Sequence, residues 1–573
     1  MVGSGIAGLS CSWLLSQEHD VTIFEREVKL GMDAHAVINP DGTHFDVPLR
    51  IFNPKYYPNL TKLYETVGIR YQPVDFAFSC TYMLPSEGGA LETLQGDAKV
   101  GTGLSFFRYS NSTSIVKLSY PSLSLDPMQK WIPGWAHAVK KYGKLCFSLL
   151  HFFLFSPGHL RDGRLEGKSL GQYLRSEGYS QVFIGELLYP MLTVVCTCSY
   201  ETLDKYPAEV IVAYFSSQGF WSWFPNPKRA SAHLSGSHCR VTDGVCDVVA
   251  KLSGDCSNIH LNSKVSRVCP RRGGSGSSDG SNRASVEWLD GATGEHRLEH
   301  FDDVVIATQA HHAKKLVSAG GGNPKMIGAL SCWDYETSRV VVHTDAKLMP
   351  ARKADWSNVN LVLESQNAKC FEGNETVKNL PFHGNDHHAN SSSASSRRAE
   401  QDCPGKLAAS MCSIWMHPID NTLDKGLIQT WNPIIEPDKS KVIVNSWFER
   451  PTLNSKTVKG IDTLRECQGD GGLYFVGAYS LYSMPLLENG VRSSCKVATM
   501  LGVPPKWGDI CYQGDEFLQN RKEARQRIMA EGSTSALGSS MKLLGWTAFL
   551  AGGVGVVMVT MFGKERRMHA MIS

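Results

Sequence analysis

The spacing of apolar and polar residues changes several times along the chain, and each change predicts a different kind of element. Residues 2–26 predict the end of a strand, a glycine turn, a helix and a second strand. From about 120 to 225 the pattern is helical and rich in aromatic residues, and around 238–308 it returns to strands. A strand, a glycine turn, a helix and a strand make half of a Rossmann unit, so we expect an α/β fold.

Two apolar segments raise the question of a membrane. The run 145–155 is too short to span a bilayer, and we interpret it as a core helix, with a membrane-dipping helix as the alternative. Residues 543–562 carry no charge, and a helix of this length, at about 1.5 Å per residue, crosses a hydrocarbon core of about 30 Å. The sequence therefore predicts a single C-terminal transmembrane helix that leaves the folded part facing the cytosol. A buried helix of a water-soluble domain is the alternative.

Composition narrows the classes of function. The apolar share of 42% and the charged share of 20% are ordinary for a globular enzyme. A formal net charge of +3 gives no electrostatic reason to expect a nucleic-acid partner. The 16 cysteines are scattered without repeated CxxC pairs, which is typical of reduced thiols in a protein that faces the cytosol.

Two polar segments interrupt the folded pattern. Residues 271–278 are rich in arginine, glycine and serine and predict a flexible hairpin tip. Residues 367–405 contain a serine-rich run and too few apolar residues to order themselves. His383, His387 and His388 lie in this second segment, where we expect solvated side chains and no metal site.

A glycine motif near the start of the chain carries the clearest chemical signal. Gly3 permits a tight turn, Gly5 lets the backbone approach a pyrophosphate, and Gly8 allows close packing of helix on strand. Glu25 follows Gly5 by 20 residues, at the end of the second strand, where a carboxylate can accept hydrogen bonds from a ribose. A glycine turn in some other α/β fold would explain the glycines but not this acid. The predicted adenine-dinucleotide site comprises Gly3, Ser4, Gly5, Ile6, Ala7, Gly8, Glu25 and Arg26.

The strand that feeds this turn normally needs about five residues before the first glycine. Only two residues precede Gly3 in the sequence. We therefore expect either a shortened first strand or a start codon that lies further upstream.

A second strand-to-helix unit lies more than 450 residues further along the chain. Residues 472–479 end a strand in a turn of small residues, and residues 488–494 begin a helix. Such a unit suits a flavin, whose ring needs backbone N–H groups and a helix dipole at one edge. We therefore predict FAD as the cofactor, with further contacts from Gly477, Ala478, Gly490 and Val491.

With these two ends, the chain resembles the flavin-containing amine oxidase superfamily and, more narrowly, a group of predicted flavin amine-oxidase-like proteins. The resemblance covers about residues 2–502 without the two polar insertions. The segments that carry the narrower resemblance are 57–60 with 68–69, 170–179 (LGQYLRSEGY), 342–345 with 348–350, 477–479 and 489–493.

The resemblance implies roles for individual residues. Gly3, Gly5, Gly8 and Glu25 would hold the ADP half of the cofactor. Val265 would contact the adenine, and Ala307 would lie in the turn that ends the strand 304–306. The chain departs from the family pattern at Leu30-Gly31-Met32, where the family usually has a Gly-Gly pair.

The same segments predict a discontinuous domain organisation. The predicted FAD-binding domain comprises residues 1–80, 235–315 and 455–502. The predicted α+β substrate domain comprises residues 81–234 and 316–454, with the disordered insertion at 367–405. A polar linker at 503–542 would join these domains to the transmembrane helix at 543–562.

The reaction follows from the cofactor more than from any catalytic residue. A flavin of this superfamily takes hydride from a C–H bond, and a positioned substrate needs no dedicated base. Tyr479, Tyr482 and Trp415 are candidate aromatic side chains for orienting a substrate, with ordinary core packing as the alternative. We find no lysine to match the one that amine oxidases place near the flavin.

We therefore predict an FAD-dependent oxidoreductase that oxidises or desaturates a lipophilic compound and has the lipid bilayer as a partner. Three alternatives remain at this point. They are a true amine oxidase, a nicotinamide-dependent dehydrogenase, and a non-catalytic, membrane-anchored scaffold that binds a nucleotide.

Overall fold

The computed structural model describes most of the chain up to residue 510. The described residues are 1–31, 36–38, 44–74, 76–83, 105–110, 117–118, 133–218, 238–256, 258–271, 283–363, 410–510 and 518. The polar insertion predicted at 367–405, with its three histidines, lies outside them, and so does nearly all of the predicted hairpin tip at 271–278. The division into two domains at the boundaries given above stays a prediction.

Helices and strands are numbered in chain order. The helices are α1 Ile6–Leu15, α2 Pro58–Val67, α3 Pro133–Arg161, α4 Leu170–Ser176, α5 Gln181–Phe183, α6 Tyr189–Cys196, α7 Tyr200–Lys205, α8 Ala208–Gln218, α9 Gly244–Ser253, α10 Ala310–Ala319, α11 Pro324–Leu330, α12 Ser455–Glu466 and α13 Leu487–Met500. A π-helical turn, Ile184–Leu188, joins α5 to α6, and 3₁₀ turns lie at Ala346–Leu348, Lys353–Asp355, Lys439–Lys441, Asp470–Gly472 and Ala478–Ser480.

The strands belong to several sheets. They are β1 Thr22–Phe24, β2 Ala36–Ile38, β3 His44–Asp46, β4 Tyr71–Val74, β5 Ala77–Tyr82, β6 Ser105–Ser110, β7 Lys117–Leu118, β8 His238–Val241, β9 Asn258–His260, β10 Ser263–Cys269, β11 Ala284–Asp290, β12 His296–Phe301, β13 Val304–Ile306, β14 Asp334–His343, β15 Val359–Leu363, β16 Ser410–Trp415, β17 Ile428–Trp431, β18 Val442–Thr452 and β19 Leu473–Phe475.

A parallel sheet gathers strands from both ends of the chain. β9 pairs with β1, and β13 pairs with β19, each in parallel register. Val2 alone joins the two pairs, because it bridges Phe24 on one side and Ile306 on the other. Its backbone N–H donates to Val305 at 2.9 Å, and its carbonyl accepts from the N–H of Ala307 at 2.8 Å. The resulting spatial order, β9, β1, Val2, β13 and β19, is that of a Rossmann-type sheet, with its first strand reduced to one bridging residue.

The two largest of the other sheets have three and eight strands. β10, β11 and β12 form an antiparallel sheet of three strands that starts directly after β9. A larger sheet of eight strands has the order β18-β14-β17-β16-β15-β5-β6-β7 and is mixed, because β15 and β5 run in parallel. Its central strand β15 is buried along its whole length, which fits a strand that is covered on both faces.

The aromatic-rich region between residues 133 and 218 is helical, and its rings pack on one another. Phe152 on α3 contacts Phe183 and Phe215, with ring centroids 5.9 and 5.6 Å apart. The apolar run 145–155 lies within α3, where Phe152 is fully buried and Phe147 is 69% exposed. One face of this helix therefore packs in the protein core.

The prediction of a membrane anchor is corrected by the structure. In the part of the chain that is described, no helix is long and apolar enough to cross a membrane. Even α3, with 29 residues, is interrupted by charged residues such as Lys141 and Lys144. The predicted span at 543–562 lies outside the described residues. The structure gives no support for a single-pass anchor, so the transmembrane part of the fold prediction and the cytosol-facing membrane localisation derived from it are withdrawn.

Candidate functional site

The glycine loop between Val2 and α1 has little room for side chains on its protein side. Gly3 has a φ of +99°, and a Cβ on it would lie 3.3 Å from the backbone of Ala307. A Cβ on Gly8 would lie 2.1 Å from the carbonyl oxygen of Gly3, so only glycine fits there. Gly5 differs, because a Cβ on it would meet no atom within 4 Å. The loop therefore packs against the sheet at Gly3 and Gly8 and opens outwards at Gly5.

The N-terminus of α1 lies at this open side of the loop. The helix begins at Ile6, with Gly5 as its N-cap, and no side chain caps its first turn. The first N–H groups of a helix have no partner within the helix, and the helix dipole favours negative charge near them. An uncapped N-terminus that faces open space is suited to bind a phosphate group.

Glu25 is tied to the glycine loop by Ser4. Its Oε2 accepts hydrogen bonds from the backbone N–H of Ser4 at 3.1 Å and from the Ser4 hydroxyl at 2.5 Å. Its Oε1 accepts the N–H of Glu27 at 3.0 Å. Glu25 is only 7% exposed, but an ionised carboxylate has about four lone-pair positions and can accept further bonds. The carboxylate is therefore held in a fixed orientation beside the loop.

Gly31 packs against the same loop. Its N–H donates to the Ser4 hydroxyl at 2.6 Å, and a Cβ on it would lie 2.9 Å from the Ser4 carbonyl oxygen. Met32, where the chain departs from the Gly-Gly pattern, lies outside the described residues. Of the two positions in the Gly-Gly pattern, this chain keeps a glycine at Gly31, and Gly31 contacts the loop through Ser4.

The other residues predicted for the adenosine half lie around Glu25. Ser263, the first residue of β10, donates its N–H to the Glu25 carbonyl at 2.7 Å, and Val265 lies two residues further along that strand. Arg26 is 63% exposed and forms an ion pair with Glu27 at 3.1 Å. Their roles in binding a cofactor stay predictions.

The C-terminal unit comes close to the glycine loop. The N–H of Gly477, just after β19, donates to the hydroxyl of Ser493 on α13 at 2.8 Å. A Cβ on Gly490 would lie 3.1 Å from the side chain of Ile6, so glycine lets α13 approach α1 closely. The Ser494 hydroxyl donates to the Ala7 carbonyl at 2.7 Å. The structure therefore brings together the glycine loop, the turn at Gly477 with Ala478, and α13 with Gly490 and the buried Val491.

The three aromatic candidates are not gathered in one place. Tyr479 and Tyr482 are each 3% exposed and follow the turn at Gly477. Trp415 lies on β16, where its indole N–H donates to the carbonyl of Lys425 at 2.8 Å and its ring meets Trp356 edge-on. These contacts tie Trp415 to the segments that precede β15 and β17, whereas the two tyrosines follow the turn at Gly477.

The two tyrosines differ in their hydrogen bonds. The Tyr482 hydroxyl donates to Glu209 on α8 at 2.6 Å. The Tyr479 hydroxyl is buried and has no hydrogen-bond partner among the described residues, and its ring packs edge-on against Trp333. Burial raises the pKa of Tyr479 well above its usual value, so this phenol is neutral.

Sequence reasoning missed a role for Glu488, which lies in the first turn of α13 and is fully buried. Its carboxylate accepts the N–H groups of Asn59 and Leu60 at 3.1 and 3.0 Å and the Asn59 side-chain amide at 2.7 Å. It thereby caps α2, whose own N-cap residue, Tyr57, provides no side-chain bond. Burial raises the pKa of Glu488 to about 7.

Two arginines were also missed. Arg50 and Arg450 are 400 positions apart in the sequence, yet the charge of Arg50 is, after burial, the next cause that lowers the pKa of Arg450. Neither Nε atom has a hydrogen-bond partner within the described part of the chain. A local signal existed for Arg50, which stands alone as a charge in the apolar stretch 47–52.

A comparison with known protein families supports a Rossmann-like domain at the start of the chain. The family described as an NAD(P)-binding Rossmann-like domain matches residues 1–67. This match confirms a Rossmann-like domain of the kind that binds dinucleotide cofactors, and it does not reach the narrower amine-oxidase-like resemblance. No curated protein matches the sequence.

Solved structures of similar proteins include two enzymes of low identity. A CLA-producing fatty acid isomerase from P. acnes is 14% identical, with a TM-score of 0.47, over 87% of this chain and 97% of that protein. An oxidoreductase from Methanosarcina mazei is 13% identical, with a TM-score of 0.47, over 86% of this chain and 99% of that protein.

Proposed function

We propose that this chain is an FAD-dependent oxidoreductase that removes hydride from a C–H bond of a lipophilic substrate, in an oxidation or a desaturation. The observation that carries the proposal is the contact between α1 and α13. A nicotinamide dinucleotide needs the N-terminal glycine loop but does not explain why a second small-residue turn and helix meet that loop. A flavin uses both, because its ring extends away from the pyrophosphate towards a second set of backbone groups.

The residues of the loop fit the ADP half of FAD. The space in front of Gly5 and the uncapped first turn of α1 would receive the pyrophosphate at the N–H groups of Ile6 and Ala7. Glu25 would accept bonds from the ribose, and Val265 on β10 would contact the adenine. The carboxylate of Glu25 is already oriented by Ser4, so little ordering is left for the cofactor to impose.

The flavin ring would lie along the C-terminal unit, next to Gly477, Ala478 and the first turn of α13. That turn supplies the positive end of a helix dipole. Glu488 lies in the same turn, but its bonds are directed to α2, so it is engaged in packing. When bound, the flavin supplies the hydride acceptor.

The aromatic helices support an apolar substrate. α8 contacts the flavin-side turn through Glu209 and Tyr482. On the same helix, Tyr214 meets Tyr56 edge-on, with ring centroids 4.5 Å apart. Aromatic walls of this kind orient apolar molecules without supplying a base.

An absorbance spectrum of purified protein tests the cofactor first. We expect the two visible and near-ultraviolet bands of oxidised flavin, and we expect the released cofactor to be FAD. Colourless, folded protein that binds NADH would replace the proposal by a nicotinamide-dependent dehydrogenase. Folded protein that binds neither would favour a non-catalytic scaffold that keeps the fold.

Anaerobic bleaching then tests the substrate class. Lipid extracts should bleach the flavin, and simple amines should not. Bleaching by simple amines alone would favour a true amine oxidase and overturn the lipophilic substrate. Each result is compared with the same protein incubated with solvent only.

A further inference from the structure

Arg450 is a partly buried cation that has no counter-ion within ion-pair distance among the described residues. It lies on β18 opposite Glu336 of β14, but the Glu336 carboxylate accepts hydrogen bonds from the N–H and the hydroxyl of Ser199 at 2.7 and 2.9 Å. The Arg450 guanidinium lies 5.8 Å from the ring of Trp431, and its Nε has no hydrogen-bond partner among the described residues. Burial is the largest cause that lowers its pKa to about 10, and the charge of Arg50 is the next.

Arg50 resembles Arg450 in this respect, because it is also desolvated and unpaired among the described residues. Its Nε is buried and has no hydrogen-bond partner in the described ranges, and burial lowers its pKa. The nearest opposing charge is Asp46, which accepts the N–H of Val245 at 3.0 Å and does not come within ion-pair distance of Arg50. The neighbouring cation Arg240 is already neutralised by Asp420 at 2.9 Å. The local imbalance therefore belongs to Arg50 and Arg450.

Two unpaired, desolvated cations destabilise the folded protein unless an anion binds beside them. A buried cation that is neither paired nor fully hydrogen-bonded loses its hydration without compensation, and a second cation nearby adds repulsion. Among the described residues, Asp46 is the carboxylate that opposes Arg50, and no carboxylate opposes Arg450, so one negative charge is missing. Both side chains are partly exposed, so each is able to contact a ligand. They approach the same strand, because Leu49, beside Arg50, donates its N–H to Gln429 of β17 at 3.0 Å, and Arg450 lies over Trp431 of β17.

The two arginines are linked to the proposed flavin site through α2 and β18. Tyr57 is the N-cap residue of α2, and the first N–H groups of α2 donate to Glu488 in the first turn of α13. The charge of Arg450 also acts on the Tyr57 hydroxyl. Glu449, next to Arg450, accepts a bond at 3.4 Å through its carbonyl from Gln309, two residues after Ala307. The arginines therefore lie at the border between the dinucleotide sheet and the aromatic helices.

We propose that Arg50 and Arg450 together bind the carboxylate of a substrate whose remaining part is apolar. This inference rests on the proposed function and names the substrate class of the same site. The planar guanidinium matches a carboxylate with two parallel hydrogen bonds, and a single negative charge balances the arginines and Asp46. The apolar part of the substrate lies against the aromatic wall that includes Tyr57 and Tyr214.

The test uses octanoate and its uncharged counterpart octanamide as probes of the full chain. Octanoate should raise the midpoint of thermal unfolding of the wild-type protein, and octanamide should not. Arg450→Met and Arg50→Met should each weaken octanoate binding at least about tenfold, because each removes charge-assisted hydrogen bonds. Without a ligand, neither variant should be less stable than the wild type, since each removes an unpaired buried charge. Arg70→Met is the matched control, because Arg70 is 73% exposed and pairs with Asp243 at the surface.

Several results would overturn the inference. They are equal shifts with octanoate and octanamide, no shift with either in the wild type, or an octanoate shift that survives both substitutions. If a methionine variant does not fold, Arg450→Lys keeps the charge and loses the planar fork, and its octanoate binding should still weaken. The FAD content of each preparation separates the two proposals. Arginine-dependent octanoate binding to colourless protein would support the anion site and remove the flavin function.

Discussion

The hydroxyl of Ser494 donates a hydrogen bond of 2.7 Å to the carbonyl oxygen of Ala7, a residue 487 positions earlier in the chain. Ser494 also bonds the Gly490 carbonyl within its own helix at 3.0 Å. The same hydroxyl accepts a bond from Ser10 at 3.1 Å. Small polar side chains and one glycine therefore let α13 rest directly on α1, so the N-terminal loop and the C-terminal unit depend on each other.

Gly490→Val should disturb this contact. The added side chain would begin 3.1 Å from Ile6 and would extend into α1, and overpacking of this kind costs about 1–3 kcal/mol. We expect a lower free energy of unfolding in urea and a lower FAD content in the purified protein. Gly328→Val is the control, because Gly328 lies on the exposed side of α11 and a Cβ there meets nothing within 4 Å. A variant at 490 that is as stable and as yellow as the control would show that this contact has no such role.

Substitutions at two glycines of the loop should separate an effect on stability from an effect on cofactor binding. Gly8→Ala places a Cβ 2.1 Å from the Gly3 carbonyl oxygen, so it should lower both stability and cofactor content. Gly5→Ala meets no protein atom within 4 Å, so the cofactor-free protein should keep its unfolding midpoint. A methyl group in the path of the pyrophosphate should still weaken FAD binding at least about tenfold, as measured by fluorescence titration. Undiminished FAD affinity in Gly5→Ala would move the pyrophosphate away from this loop.

The glycine loop could be predicted because each of its constraints is local. Gly3 and Gly8 are needed by a turn and a helix start that lie within a few residues of each other, and Gly5 lies between them on the open side. Glu25 follows at a distance set by one helix and one strand. The structure adds that Ser4 bridges this acid to Gly31, which no periodicity in the sequence indicates.

The remaining features depend on pairs that are far apart in the sequence. Glu488 caps a helix more than 400 residues away, and nothing near it marks it as a cap. Arg50 and Arg450 come near each other because the loop after β3 and the end of β18 both lie beside β17. Trp415 was a reasonable aromatic candidate from its strand, but strand membership did not say at which end of the sheet it would lie. Contacts between residues so far apart in the sequence become visible only in the three-dimensional structure.

The two buried tyrosines near Gly477 should respond differently to loss of their hydroxyl groups. Tyr479→Phe removes a hydroxyl that has no partner among the described residues, so stability should stay the same or rise slightly. Tyr482→Phe removes the bond to Glu209 and leaves a buried carboxylate with one donor fewer, which should cost about 1–3 kcal/mol. Urea unfolding of the two variants measures this difference. A larger loss in the Tyr479 variant would mean that its hydroxyl has a partner in the folded protein.

Glu488 should make stability depend on pH in a predictable direction. Burial raises its pKa from 4.5 to about 7 in the folded protein, so the folded state holds a proton over a range in which the unfolded state has lost it. Stability from this group is therefore complete below pH 4.5 and is lost as the pH rises towards 7, by about 3 kcal/mol in all. Glu488→Gln is neutral at every pH and lacks this dependence. Relative to the wild type, the variant should thus gain stability from pH 4.5 to 7, measured by urea unfolding at several pH values. Glu18→Gln, an exposed substitution, should show no such gain. A constant difference between wild type and Glu488→Gln across this range would mean that Glu488 is ionised in the folded protein and caps α2 as a charged group.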